Sequence, residues 1–129
     1  MSIEVSIPEL AAALRRHPFV YLVAVGDQPR AHVVASSARM TDGVIVVADA
    51  GRRSRNSVMV NPLVMLLAPP FEPGGYSLII DGTAELTVDS VLVSPSRAVL
   101  HRPAPEPVPV AVDGECVADC VKIPVEQGT

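Results

Sequence analysis

Short β-branched runs cut by turn residues constrain this chain more than any other feature. Phe19 to Val25, Ala31 to Met40, Val44 to Ala48, Leu63 to Ala68, Tyr76 to Val88 and Val91 to Leu100 are strand-length and largely apolar. Gly26-Asp27-Gln28-Pro29, Thr41-Asp42-Gly43, Asn61-Pro62 and the loop Pro69 to Gly75 separate them. The Asp42-Gly43 pair favours a tight hairpin, so the first three runs read as an antiparallel meander. Val44 to Ala48 has almost no polar alternation and is expected to be buried on both faces, and Leu63 to Ala68 reads as a further buried strand. Asp81-Gly82 predicts a bulge in the long run, and Pro95 predicts an edge or a break in the last one.

Two stretches read as helix. Ser6-Ile7-Pro8-Glu9 has the form of a capping box, with Ser6 accepting from the Glu9 amide. Leu10, Ala13, Leu14 and His17 follow at helical spacing until Pro18, which predicts an amphipathic helix of about ten residues. A second, shorter helix is expected from about Ser54 to Val60.

Composition narrows the class. The chain has 129 residues, which is one compact domain, and 22 of them are valine. A net charge of -4 and a pI near 5.2 lack the broad basic surface that nucleic-acid binding needs. No apolar run approaches the roughly 18 residues of a membrane helix. Met1-Ser2-Ile3-Glu4-Val5 has neither a basic nor an apolar leader segment, so the expected location is cytoplasmic. Cys116 and Cys120 are too few for a disulfide framework and have no partner ligands in sequence to complete a metal site. The expected division is a barrel domain over residues 1–102 and an extension over 103–129, laid on the barrel or on a neighbouring subunit. Pro103, Pro105, Pro107 and Pro109 make the start of that extension polyproline-like, and residues 103–129 carry five acidic residues against one lysine.

The sharpest chemical feature is Arg52-Arg53-Ser54-Arg55, placed after a strand and a glycine at the start of the second helix. Free helix amides and arginine forks suit a phosphate; a solvated surface turn is the alternative. His32, Val34 and Ser36 share one strand face, which suits either a ligand groove or a plain polar barrel face. Arg97, His101 and Arg102 form a second basic group without an assigned role, and His17 reads as a helix-terminal residue. No Gly-x-Ser-x-Gly elbow, His-Glu-x-x-His or paired-carboxylate arrangement occurs, so no catalytic side chain is assigned and any redox chemistry would come from a cofactor.

The order of these pieces resembles the pyridoxamine 5'-phosphate oxidase-like, FMN-binding split-barrel family over roughly residues 6–100. The resemblance rests on the strand Phe19 to Val25, the strand Ala31-His32-Val33-Val34, Val44 to Ala48 followed by the arginine-rich turn, Asn61-Pro62 with Leu63 to Leu67 behind it, and Gly82-Thr83-Ala84-Glu85. It implies a mainly β fold, a six-stranded antiparallel split barrel with short helices, working as a homodimer. It also implies FMN, or a deazaflavin in some branches, between subunits, and hydride transfer with a small-molecule redox substrate. The phosphate would fall to Arg52, Arg53, Ser54 and Arg55. Arg53 stands where an arginine is usual, and Ser54 where a lysine is frequent. Val34, Ala35, Ser36 and Ser37 would run along the isoalloxazine ring. The alternative is a non-catalytic module of the same fold that binds or senses a flavin or another small anion.

Overall fold

The computed structural model describes residues 2–27 and 29–103. Cys116, Cys120 and residues 104–129 of the expected extension lie outside them. Ten elements follow in order: β1 (Ser2–Val5), α1 (Ile7–Arg15), β2 (Val20–Ala24), β3 (His32–Ser36), β4 (Ala38–Thr41), β5 (Val44–Val47), α2 (Gly51–Val60), β6 (Leu63–Ala68), β7 (Ser77–Leu86) and β8 (Val91–His101).

The strands form one antiparallel sheet in the order β3-β2-β6-β7-β8-β5-β4, with β1 added along β8. Its two ends, β3 and β4, are joined through Ser37 alone. One residue advances the chain by under 4 Å, so the sheet has to curl until its ends meet. Leu22, Leu66, Leu78, Ile80, Ile45 and Val93 point inward and are fully buried, each contributing roughly 1.5–3 kcal/mol. Helix α1 packs on β4 and β8 through Leu10, Ala13 and Leu14, while α2 lies on β2, β3 and β7.

Eight strands stand where the resemblance implied six. Two local events account for the difference. β1 is an addition to β8, and the run Ala31 to Met40, read as one strand, is split at Ser37 where the barrel turns its corner. Ser36 Oγ donates to Ala48 O at 3.0 Å, and Ala48 N donates to Ser37 O at 3.0 Å, which pins the corner to the end of β5.

Turn chemistry follows the local expectation. Asp42 and Gly43 both have positive φ, 50° and 80°, as a two-residue hairpin turn demands. The β7–β8 register shifts between Asp81 and Gly82, the expected bulge. Pro95 sits opposite that bulge, in the stretch of β8 that β5 (paired to Val91, Leu92 and Val93) has left and β1 (paired from Ala98) has not reached. A missing amide is tolerated there.

Three expectations are corrected. Ser6 does not accept the Glu9 amide: its Oγ donates to Glu9 Oε1 at 2.9 Å, and Glu9 N donates to the Ser6 carbonyl. Val44 to Val47 is not buried on both faces but alternates, and Leu63 to Ala68, expected as a buried strand, buries one face only, with Leu63 64% and Met65 38% exposed. Helix α2 begins at Gly51, earlier than Ser54, so the arginines lie within the helix.

Candidate functional site

Helix α2 presents two distinct faces. Ser54 and Val58, one turn apart, are buried against the barrel. Arg53, Asn56, Ser57 and Val60 follow the i, i+3, i+4, i+7 spacing of a second face. This face and the turn between β2 and β3 enclose a cleft of about 620 Å³. The turn supplies Val25, Gly26, Asp27, Pro29 and Arg30, and the start of β3 supplies His32. The volume lies within the roughly 300–1,000 Å³ of small-molecule sites.

The two walls approach closely. Gly26, at φ +65°, lies so near α2 that a Cβ on it would stand 3.1 Å from Ser57 Oγ. Arg30 enters from the turn, Arg53 from the helix and His32 from the strand, so three nitrogen-bearing side chains from three elements line one space. Val25 and Val60 give it apolar wall.

Of the eight residues assigned from sequence to the cofactor, Arg53 lines this cleft, as does His32, which the sequence offered for a ligand groove. Arg52 is exposed on the first turn of α2. Ser54 is fully buried, with no hydrogen-bond partner for its Oγ among the described residues. Arg55 turns the other way: its guanidinium donates to the carbonyls of Thr87 and Ser90, tying α2 to the β7–β8 connection. The strand residues divide between two faces. Val34, opposite buried Leu22, and Ser36 are half-buried, whereas Ala35 and Ser37 are exposed. The pleat separates neighbours in this way whatever their role.

Arg30, Asn56, Ser57 and Val60 were not singled out from the sequence. The helical spacing from Arg53 contained the signal for the last three. Arg30 had none, because only the folded turn brings it to α2.

Beside the cleft, β3, β2 and β6 carry an exposed apolar face. The strand register aligns Val33 with Val23 and Val23 with Met65, and aligns Ala35 with Tyr21 and Tyr21 with Leu67. Phe19 meets Tyr21 edge-on, with ring centroids 5.2 Å apart. Val33 is 53% exposed, and Val25 continues the face into the cleft. Among the described residues, no group of three His, Cys, Asp or Glu side chains is placed to hold a metal, and no helix is long and apolar enough to cross a membrane.

The second basic group is dispersed. Arg97 faces Asp81 across the strands at 4.0 Å, His101 meets Ser2 Oγ at 3.1 Å, and Arg102 lies over the Tyr76 ring. His17 is not a bare helix terminus: Nδ1 lies 3.0 Å from Ala13 O and Nε2 lies 3.2 Å from Tyr76 O, joining α1 to the start of β7.

No family model matches the chain. The uncharacterized proteins Mb0449c of Mycobacterium bovis and MT0457 of Mycobacterium tuberculosis are each 39% identical to it, over 92% of this chain and 94% of theirs. Among solved structures, a candidate pyridoxamine 5'-phosphate oxidase of Listeria innocua superposes with a TM-score of 0.61 at 16% identity, over 73% of this chain and 96% of its own. The FAD-binding protein of Mycobacterium smegmatis gives 0.60 at 17% identity, over 79% and 100%. HutZ, the heme storage protein of Vibrio cholerae, gives 0.52 at 13% identity, over 71% and 91%. The chain therefore belongs to one family with the two mycobacterial proteins, and its curled sheet is the pyridoxamine 5'-phosphate oxidase-like split barrel.

Proposed function

We propose that this protein is a homodimeric flavin-binding oxidoreductase whose cofactor phosphate is held by Arg53 and Arg30. The observation that carries this reading is the placement of these two arginines on facing elements of one cleft, with His32 between the strand and the turn. Arginine forks bind phosphate oxygens bidentately, each charge-assisted bond contributing about 1.5–3 kcal/mol. The donor set and the volume fit a flavin mononucleotide; a deazaflavin carrying the same phosphate would use the same donors. Val25 and Val60 provide apolar contact for a ring system. A bound flavin supplies hydride transfer at its ring nitrogen, so the protein's task is to hold, orient and desolvate it.

The dimer is inferred from the apolar face of β3, β2 and β6. A second copy docked there would bury Val33, Met65 and Leu63 and would cover the open side of the cleft at Val25. Continuity of that face with the cleft supports a site completed at the subunit boundary.

Absorption and fluorescence titration with FMN, and separately with riboflavin, tests the reading. FMN should bind at least tenfold more tightly than riboflavin, which lacks the phosphate. Equal binding, or none by FMN and deazaflavin alike, overturns it. A nicotinamide donor should then bleach the loaded flavin.

The heme storage function named for HutZ favours a second reading, a non-catalytic binding module of the same fold. Under this reading a flavin-loaded sample is not reduced by any nicotinamide donor, or hemin gives a Soret shift that His32→Ala abolishes.

A further inference from the structure

A second groove of about 250 Å³ lies between the end of α1 and the loop before β7. Pro70, Phe71, Tyr76 and Leu100 form its apolar lining, and Arg16 and Glu72 its charges. Phe71 is 76% exposed. One face of Tyr76 is covered by the Arg102 guanidinium, 4.4 Å from the ring centroid, and Arg102 Nη1 donates to Gly74 O at 3.2 Å. The last described residues are thus fastened to the wall of this groove, and Pro103 leaves from its rim.

We propose that residues 103–109 of the same chain occupy this groove. Pro103, Pro105, Pro107 and Pro109 alternate with Ala104, Glu106 and Val108. Such a sequence favours a polyproline helix, which rises about 3.1 Å per residue and loses little entropy on docking. Grooves lined by aromatic rings and prolines recognise this shape. From Pro103 the segment reaches roughly 19 Å at that rise, ample for a groove that starts at Tyr76. Tethering supplies an effective concentration on the order of millimolar, so weak contacts suffice to fill the site. Net charge neither drives nor opposes the docking, since residues 1–103 carry nine basic and nine acidic residues and the groove holds one of each, Arg16 and Glu72. Glu106 is the first acidic residue past the rim, and Arg16 is the groove's cation. This surface is separate from the flavin cleft, so the two readings stand or fall independently.

The chain has no tryptophan, so Phe71→Trp in the full-length protein places a single reporter in the groove. Its acrylamide quenching constant should rise at least threefold when Pro105→Gly, Pro107→Gly and Pro109→Gly are added, and its emission should shift to the red. Protection in the parent should not change on dilution. Equal quenching in the two proteins overturns the proposal. Protection that disappears on dilution also overturns it, and assigns the groove to the extension of a second copy. The last described strand ends at His101, before the three prolines, so an unchanged far-ultraviolet circular dichroism spectrum confirms that the fold is common to both proteins.

Discussion

Gly26 and Ser57 bring the β2–β3 turn and α2 together at the wall of the cleft, because a Cβ on Gly26 would stand 3.1 Å from Ser57 Oγ and 3.3 Å from Ser57 Cα. Gly26 also holds φ at +65°, where a side chain costs about 1–2 kcal/mol. Gly26→Ala should therefore lower the unfolding free energy by about 1–2 kcal/mol and push the turn away from α2. Urea unfolding measures the first effect, and weaker FMN binding the second. Removing the hydroxyl with Ser57→Ala should recover little of either, since the backbone contact at Ser57 Cα remains.

Gly82 answers a different constraint. Its φ is not in the left-handed region, yet a Cβ there would meet Ser94 O and Val93 Cγ1, both at 2.6 Å. The carbonyl belongs to the β7–β8 ladder and cannot rotate away. Gly82→Ala should cost about 1–3 kcal/mol, the range for overpacking a closed site. A thermal or urea transition that stays at the parent midpoint would refute this.

Arg53 and Arg55 should separate binding from stability. Arg53 is exposed in the cleft, so Arg53→Ala should alter stability by less than about 0.5 kcal/mol. The same change should weaken FMN binding by roughly 10- to 100-fold, the value of one charge-assisted phosphate bond. Arg55 instead satisfies the Thr87 and Ser90 carbonyls. Arg55→Ala should lower the unfolding free energy by about 1–3 kcal/mol and leave the smaller mark on affinity. Paired melting curves and flavin titrations give both quantities.

Met65 and Val33 flank Val23 on the exposed face of the sheet. In the proposed dimer, a carboxylate on this apolar row would have to be desolvated. Met65→Glu together with Val33→Asp should convert the protein to a monomer in sedimentation velocity at micromolar concentration. The circular dichroism spectrum should be retained, because neither side chain enters the barrel core. A parent protein that sediments as a monomer would remove the dimer reading itself.

Much of the local structure was legible in the residues. The Asp42-Gly43 turn, the bulge at Asp81-Gly82, the end of α1 ahead of Pro18 and the pairing partner lost on one side of Pro95 each follow from a conformational demand that one or two residues state on their own. The burial of Val44 to Val47 and Leu63 to Ala68 was not legible. Valine and leucine read as buried on either side of a strand, whereas exposure depends on what the other side of the sheet meets. The arginine cluster was legible as a cluster but not as a site. Four consecutive helical residues point in four directions, so Arg53 reaches the cleft, Ser54 the core, Arg55 the β7–β8 connection and Arg52 solvent.

By itself, then, the sequence determined which segments extend, where they turn and which helix face is apolar, because period and φ preference act over a few bonds. Only the tertiary structure decided that β3 and β4 part at Ser37, that Arg30 stands across from Arg53, and that Val33, Val23 and Met65 make one apolar row. Those relationships depend on closure and register between strands distant along the chain, and the pairing of hydrogen-bond ladders fixes them only once the sheet has curled.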